Sequence, residues 1–585
     1  MKKVLSFVMA LILLMTLILT GCAKKDETKD TGSYKETKDL PAGEEADRDL
    51  SSNGKGNKAI SDGGQAKTSQ QDSTANSAVT EQDQPDGEIA ESPSMEKEYK
   101  YNTNFREDWQ PSVPNSEEYT QFKETGFQAV TDNPLSTFSI DVDTASYAKL
   151  RNSITSGLLP NPEAVRIEEM LNYFTYDYDE PEGRVPFSIN TEIGECPWNE
   201  EHYLLTVGIQ GKNVDKTALP KSNLVFLIDV SGSMDEPDKL PLLKNAFRQL
   251  VEELKEDDRI SIVVYAGDSG VILNGAEGSE KELILDKIYS LTASGSTAGA
   301  SGIELAYSLA EENLIRNGNN RVILATDGDF NVGPSSLDAL ERIIEEKRDS
   351  GIYLSVMGFG TGNLKDNRME LLADKGNGNY SYIDSPKEAR KVLVDEMSGT
   401  LLTIAKDVKI QLEFNPYSVE AYRLIGYENR ALENQDFKND AVDAGELGAG
   451  HSVTAIYEIT PRTDPKAGEE LKYQTSIPNP EYRNEITEIR LRYKEPKAEV
   501  SNELRQVVTF SNTPVKGVKL SEDFYFAAAV AEFGMILRTS QYQGNATVDS
   551  VLGLAERGLG EDTEGYRSEF IDLVNLYQEY YGYSW

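Results

Sequence analysis

Asn223-Leu-Val-Phe-Leu-Ile-Asp-Val-Ser-Gly-Ser-Met234 is the stretch whose reading decides the fold. Leu224 to Ile228 is apolar on both faces and short enough for a strand, the pattern of a central parallel strand covered by helices on either side. At its carboxyl end the polarity switches to Asp229-Val-Ser-Gly-Ser233, with three oxygen-bearing side chains at alternate positions. A helical pattern follows at once, so these oxygens lie in a strand-to-helix turn, where open α/β sheets place their ligand crevice. A carboxylate and two hydroxyls on one loop suit a hard divalent cation, although Asp and Ser at such turns also serve as helix caps. Two later stretches favour the cation. Gly295-Ser-Thr297 precedes a helix, and Arg321-Val-Ile-Leu-Ala-Thr-Asp327-Gly is a second apolar strand ending in Asp.

Asp229-x-Ser231-x-Ser233, Thr297 and Thr326-Asp327-Gly328 together resemble the metal-ion-dependent adhesion site of von Willebrand factor A domains. The resemblance implies that Ser231, Ser233 and Thr297 touch the metal through hydroxyls, while Asp229 and Asp327 act through waters or from behind. Thr292, Ser294, Ser296 and Ser301 lie close to Thr297 in sequence. With neutral nearest ligands the cation, Mg²⁺ or Mn²⁺, stays electrophilic and can take a carboxylate from a partner. The match spans residues 221–403, which are expected to form the A domain.

Composition narrows the partners. The 585 residues carry 59 Lys and Arg against 99 Asp and Glu, a net charge of −40. That balance argues against nucleic acid or anionic lipid as a partner. Only two histidines exist, His202 and His451, far apart in sequence, so histidine-rich metal sites are not expected. Residues 1–22 read as a signal peptide: Lys2 and Lys3 precede an apolar run from Val4 to Leu19. Leu19-Thr-Gly-Cys22 resembles a bacterial lipobox, which implies lipidation of Cys22 and anchoring on the extracytoplasmic face of a membrane; an uncleaved anchor is the alternative. Either way the rest is exported. Residues 23–100, polar and nearly without large apolar side chains, are expected to be a disordered tether. Such a chain reaches roughly 50 Å on average. Cys196 is then the one thiol left, read as a small buried hydrophobe.

Residues 101–184 read as an amino-terminal α/β segment. Its Ser139-Ile-Asp-Val-Asp-Thr-Ala-Ser-Tyr147 and Arg166-Ile-Glu-Glu-Met170 resemble the region before the A domain in a group of uncharacterised bacterial lipoproteins. Asp141-x-Asp143 after a strand also resembles haloacid-dehalogenase phosphatases, but Ala145 stands where that family has Thr or Val. Alternating stretches in 185–212 and 405–500 predict one β-sandwich flanking the A domain, with Asn429–Gly450 as a surface connection. Helix Pro386–Ile404 is expected to close the A domain, and 501–585 to be a helical carboxy-terminal region.

The expected fold class is therefore multidomain α/β: a doubly wound, Rossmann-like von Willebrand factor A domain inserted in a β-sandwich, with helical additions at both ends. The expected function is cation-dependent binding of a protein partner that presents an Asp or Glu carboxylate, with the membrane touched through the lipid anchor only and no nucleic acid bound. No enzyme is expected, because the three metal loops hold no Lys or Arg and no general base stands near Ser231 and Ser233. The alternatives are a metal-dependent phosphate-ester hydrolase and a structural envelope protein with a vestigial site.

Overall fold

The structure, a computed structural model, describes residues 116–295, 300–328, 337–463, 479–510 and 519–582. The expected signal peptide, tether and Cys22 lie outside the described residues, and so does Thr297. Strands β1 (Gln128–Ala129) and β2 (Leu135–Ser139) lead into helices α1 (Ala145–Thr155) and α2 (Ile167–Asn172). β3 (Phe187–Glu195) and β4 (Tyr203–Gly211) precede an alternating block. That block runs β5 (Ser222–Asp229), α3 (Leu240–Glu253), β6 (Arg259–Tyr265), β7 (Ser269–Glu277), α4 (Lys281–Tyr289), α5 (Ala300–Glu312), β8 (Asn319–Thr326), α6 (Leu337–Asp349), β9 (Tyr353–Phe359), α7 (Asp366–Lys375) and β10 (Tyr380–Ile383). Helices α8 (Pro386–Arg390) and α9 (Met397–Leu401), joined through a π turn at Lys391–Asp395, close it. The remainder is β11 (Thr403–Phe414), β12 (Val419–Ile425), β13 (Gly445–Gly448), β14 (Ser452–Pro461), β15 (Glu485–Lys494), β16 (Asn502–Thr509), then α10 (Glu522–Arg538), α11 (Val548–Arg557) and α12 (Tyr566–Tyr581).

The alternating block folds into a six-stranded sheet of order β10-β9-β8-β5-β6-β7, parallel except for the edge strand β7. All eight residues of β5 are buried, because helices cover both faces as its unbroken apolar run requires. On one face Phe226 stacks on Phe247 of α3 with ring centroids 4.2 Å apart. On the other, Val225 and Leu227 pack among Ile303, Tyr307 and Leu340. This alternation places every β-to-α turn of β5 and β8 at one end of the sheet.

Two antiparallel sheets hold the block. One has the order β1-β12-β14-β4-β3; in the other, β15 pairs with β11 and β16, while β13 and β2 take successive parts of the opposite edge of β11. They share one core, in which Leu205, Val207 and Ile209 meet Ile410, Leu412 and Leu491. Phe414 of one sheet stacks on Tyr422 of the other at 4.1 Å. The A block thus leaves from β4 in one sheet and returns into β11 in the other.

Several boundaries differ from the sequence reading. Pro386–Ile404 is not one helix: α8, the π turn and α9 replace it, and β11 already begins at Thr403. A side chain at Gly399 would meet the His451 ring at 2.0 Å, so the backbone here runs flush against the neighbouring segment instead of carrying a helical surface. Asn429–Gly450 is not a free surface connection, since β13 pairs with β11 and Phe437 is buried. The 501–585 region is not wholly helical, because Asn502–Thr509 adds a strand beside β15. Nor do the described residues of the expected 101–184 segment form a separate unit: β1 and β2 join the antiparallel sheets, while α1 and α2 share a core with α10, α11 and α12. No helix among the described residues is long and apolar enough to cross a membrane.

Buried ion pairs fix the A block to this surround. Arg151 of α1 reaches Asp384 at 2.6 Å, Glu388 at 2.7 Å and Glu569 of α12 at 2.9 Å. Arg166 bonds Asp366 and Glu370 of α7 and Glu169 of its own segment. Arg430 is shared by Asp374, Asp141 and Asp143. Low local dielectric makes each pair strong and each missing partner costly.

Candidate metal centre

β5 and β8 are neighbours, so their ends deliver Asp229 and Thr326-Asp327 side by side. The Asp229 side chain is fully buried. One of its oxygens accepts the Ser231 backbone N–H at 2.8 Å and the other accepts the Thr326 hydroxyl at 3.2 Å. The Tyr265 phenol lies against the same carboxylate. Burial pushes the Asp229 pKa up to about 6, the hydrogen bonds from Ser231 and Thr326 restrain that rise, and the charge of Asp327 adds to it. This is the environment expected of a carboxylate waiting for a positive charge.

The chain then makes one 3₁₀ turn, Gly232–Asp235, which brings the Ser231 and Ser233 hydroxyls to 3.0 Å. Ser231 is buried and Ser233 is exposed, so the pair faces outward from the sheet end. The second loop is strapped to the first: the Ser294 N–H donates to the Val230 carbonyl at 2.7 Å, and the Gly232 N–H to the Gly295 carbonyl at 3.1 Å. Gly295 holds a left-handed φ of +92°, which a side chain would disfavour. Thr297 itself lies outside the described residues, two positions beyond this strap.

Asp327 is also fully buried and accepts the Lys239 ammonium at 3.0 Å. Burial alone would raise its pKa; Lys239 together with hydrogen bonds from Asn363 and Ser233 more than reverses this and holds it below the usual carboxylate value. Gly328 follows with φ +109°, and a side chain there would meet the Asn363 carbonyl at 2.6 Å. The structure therefore brings Asp229, Ser231, Ser233 and Asp327 together. Sequence reading missed Lys239, which lies outside the loop itself, just before α3. Its stem lies across Gly360, where an added Cβ would come within 2.3 Å of it. No spacing rule links a helix-start lysine to a carboxylate 88 positions later.

The donor set is all oxygen and hard, as Mg²⁺ and Mn²⁺ prefer. Among the described residues no cluster of three or more His, Cys, Asp or Glu side chains could hold a metal. Among the described residues two carboxylates meet here, Asp229 and Asp327, with the Ser231 and Ser233 hydroxyls beside them. Asp141 and Asp143 do other work. Asp141 accepts the Asp143 N–H at 3.1 Å, and Asp143 accepts the Tyr380 N–H at 2.8 Å, pinning the strand exit to β10. Cys196 is buried and unpaired, with burial pushing its thiol pKa up.

Comparison with known proteins agrees with this architecture. The model of the von Willebrand factor type A domain matches residues 223–395, one described as von Willebrand factor matches 113–206, and that of the carboxy-terminal region of uncharacterized protein YfbK matches 399–580. Uncharacterized protein YfbK of Escherichia coli K12 is 44% identical over 472 residues, covering 79% of this chain and 81% of its own. Human inter-alpha-trypsin inhibitor heavy chain H3 is 26% identical over 279 residues, covering 44% of this chain but 30% of that protein. Among solved structures, the mussel byssus proximal thread matrix protein 1 with a zinc-occupied MIDAS motif aligns at 22% identity over 32% of this chain and 46% of that one, with a TM-score of 0.26. The chain belongs to the YfbK family, and its residues 223–395 are a von Willebrand factor type A domain.

Proposed function

We propose that this chain is a membrane-tethered, extracytoplasmic binding protein whose A domain holds a divalent cation, Mg²⁺ or Mn²⁺, and through it grips an Asp or Glu carboxylate of a protein partner. The observation that carries the reading is the convergence of the Asp229, Ser231, Ser233 and Asp327 oxygens at one sheet end, with Ser233 open to solvent. Thr297 would complete the set from the strapped second loop. The cation would supply an electrophile for the incoming carboxylate, and the buried aspartates would hold the hydroxyl ligands in place from behind. The tether and Cys22 would set the protein off the membrane surface. Binding is favoured over hydrolysis because Asp141, the rival nucleophile, is paired through one oxygen with Arg430 and the Asp143 N–H and follows β2, away from the loops after β5 and β8.

The test is capture of envelope proteins by the full chain with Mg²⁺ present and with chelator. A partner retained only with Mg²⁺, and lost when Ser233 is changed to Ala, is the expected result. Equal capture with chelator would remove the cation from the reading.

Lys239 makes a second test possible. Its ammonium already neutralises Asp327, so it competes electrostatically with an incoming cation. Lys239→Met is expected to tighten Mn²⁺ binding on the order of tenfold, about 1.4 kcal/mol. Titration calorimetry on both proteins checks this, and weaker binding in the variant would show that Lys239 supports the site instead of opposing the metal.

A further inference from the structure

The A domain has a second polar site at the opposite end of its sheet. A cavity of about 290 Å³ opens where the base of β8, the loops around Asn379 and Thr400, the exit of β2 and the edge strand β13 come together. That volume is near the lower bound for small-molecule sites, and junctions between structural units are where such sites usually form. Arg321, which lines it, stands six residues before Asp327 on β8, so the two sites are roughly 20 Å apart.

Arg321 is the observation that asks for a ligand. It is 2% exposed. Its guanidinium donates to the Ser355 hydroxyl at 2.6 Å and to the Thr400 carbonyl at 2.7 Å, while its Nε has no hydrogen-bond partner. Every other buried arginine among the described residues has a carboxylate: Arg151 with Glu388, Arg166 with Asp366, Arg423 with Glu458, Arg538 with Glu428. Arg321 has none within ion-pair distance; it lies over the Tyr353 ring at 5.5 Å, and burial pushes its pKa down to about 10 although the more distant charge of Glu446 opposes that shift. A buried charge left unpaired is expensive, which is why such charges are nearly always matched. His451, on the same cavity, is held neutral by burial, and its Nδ1 is shut away without a partner.

The facing wall has the opposite imbalance. Asp141 and Asp143 line it, and Arg430 is shared between them and Asp374 at 3.3, 3.6 and 2.9 Å. One Asp141 oxygen is buried with no donor at all. Burial and the charge of Asp141 push the Asp143 pKa well up, and burial does the same to Glu446, which accepts the Asn377 amide at 2.6 Å. A simple anion entering to pair Arg321 would face these carboxylates, and a simple cation entering to pair them would face Arg321. A ligand carrying both charges settles both walls.

We propose that this cavity binds a small zwitterion of the amino-acid class, its carboxylate against Arg321 and His451 and its ammonium against Asp141 and Asp143. The site is distinct from the metal centre and stands or falls independently of it.

Thermal unfolding of the full chain tests the proposal with glycine, β-alanine, γ-aminobutyrate and ε-aminocaproate as zwitterions of growing charge separation, and with acetate and methylammonium as the separate halves at matched ionic strength. At least one zwitterion is expected to raise the melting temperature saturably, while neither half does. Arg321→Met should abolish the shift and still fold, because an apolar side chain replaces a buried unpaired charge. Asp141→Asn should abolish it as well; since Asp141 also holds Arg430, Asp143→Asn, whose amide oxygen can still accept the Tyr380 N–H, serves as a second acidic-wall variant and should weaken the shift several-fold. No response to any zwitterion overturns the proposal. So does an equal response to acetate, which would mean a plain anion site, or a shift that survives Arg321→Met.

Discussion

Arg151→Met is expected to lower the stability of the folded chain by about 3–5 kcal/mol, the range for stripping one partner from a buried ion network. Arg151 spans three elements: it bonds Asp384 and Glu388 at the end of the A domain, Glu569 of α12, and the Tyr173 hydroxyl at 2.8 Å. Glu388 is wholly buried, with Arg151 as its principal cation, and burial already raises its pKa despite that charge. Removing the guanidinium would leave a buried carboxylate that must take up a proton or admit water. The folded-state pKa of Glu388 would rise further, so the penalty for burying it grows as pH climbs from its unfolded value towards that raised pKa and is complete above it. The destabilisation should therefore be greater at pH 8 than at pH 5. Urea midpoints of the full chain provide the measurement, with Arg248→Met as control: its pair with Glu252 is solvent-exposed and should be worth no more than about 0.5 kcal/mol. Adding Glu388→Leu to Arg151→Met should restore part of the loss, since apolar replacement of both partners removes the stranded charge. Equal midpoints for the Arg151 and Arg248 variants would show that the clamp does not hold the A domain in place.

This clamp also explains what was legible in the sequence and what was not. The A domain could be read strand by strand because its signal is local: unbroken apolar runs such as Leu224–Ile228 and Val322–Ala325 alternate with helical periods, and the polar switch at each strand end marks the crevice. The stretches Ser139–Tyr147 and Arg166–Met170 stood out equally as sequence, but their purpose is visible only in three dimensions. Ser146 donates to the Ala164 carbonyl and accepts the Arg166 N–H, Glu169 accepts the Ser146 N–H, and Arg166 reaches Asp366 and Glu370 across 200 and 204 positions. No periodicity encodes such separations. The short strand Gly445–Gly448 was hidden for a different reason. It has one apolar side chain, Leu447, and owes its conformation to the edge of β11 instead of to its own pattern. Lys239 was missed because a lysine before a helix has an ordinary explanation in solvent, and only the fold shows its stem laid over Gly360 toward Asp327.

Asp229→Asn is expected to weaken Mg²⁺ or Mn²⁺ binding at least a hundredfold and, unlike most changes to a buried polar group, to stabilise the metal-free protein at neutral pH. The two effects have one cause. In the metal-free fold burial holds the Asp229 pKa at about 6, against an ordinary value of 3.8. A carboxyl whose folded pKa is raised costs nothing below its unfolded pKa. The penalty grows as pH rises between the two values and is complete above about 6, where a shift of this size corresponds to about 2–3 kcal/mol at most. An amide is nearly isosteric, can still accept the Ser231 N–H, and carries no charge to bury, so the variant should melt higher than the parent in chelator at pH 7 and show little difference at pH 4. Adding the cation should reverse the order at pH 7, because a ligand that binds only the parent stabilises only the parent. Proton and metal compete for the same carboxylate, so the parent's metal affinity should fall by up to about tenfold per pH unit below 6. Calorimetry across pH 5 to 8, with melting curves in chelator and in Mn²⁺, measures each part. Unchanged metal affinity in the variant would remove Asp229 from the site, while lost affinity with a lower melting point in chelator would mean that the carboxylate stabilises the metal-free turn and is not held there at a cost for the cation.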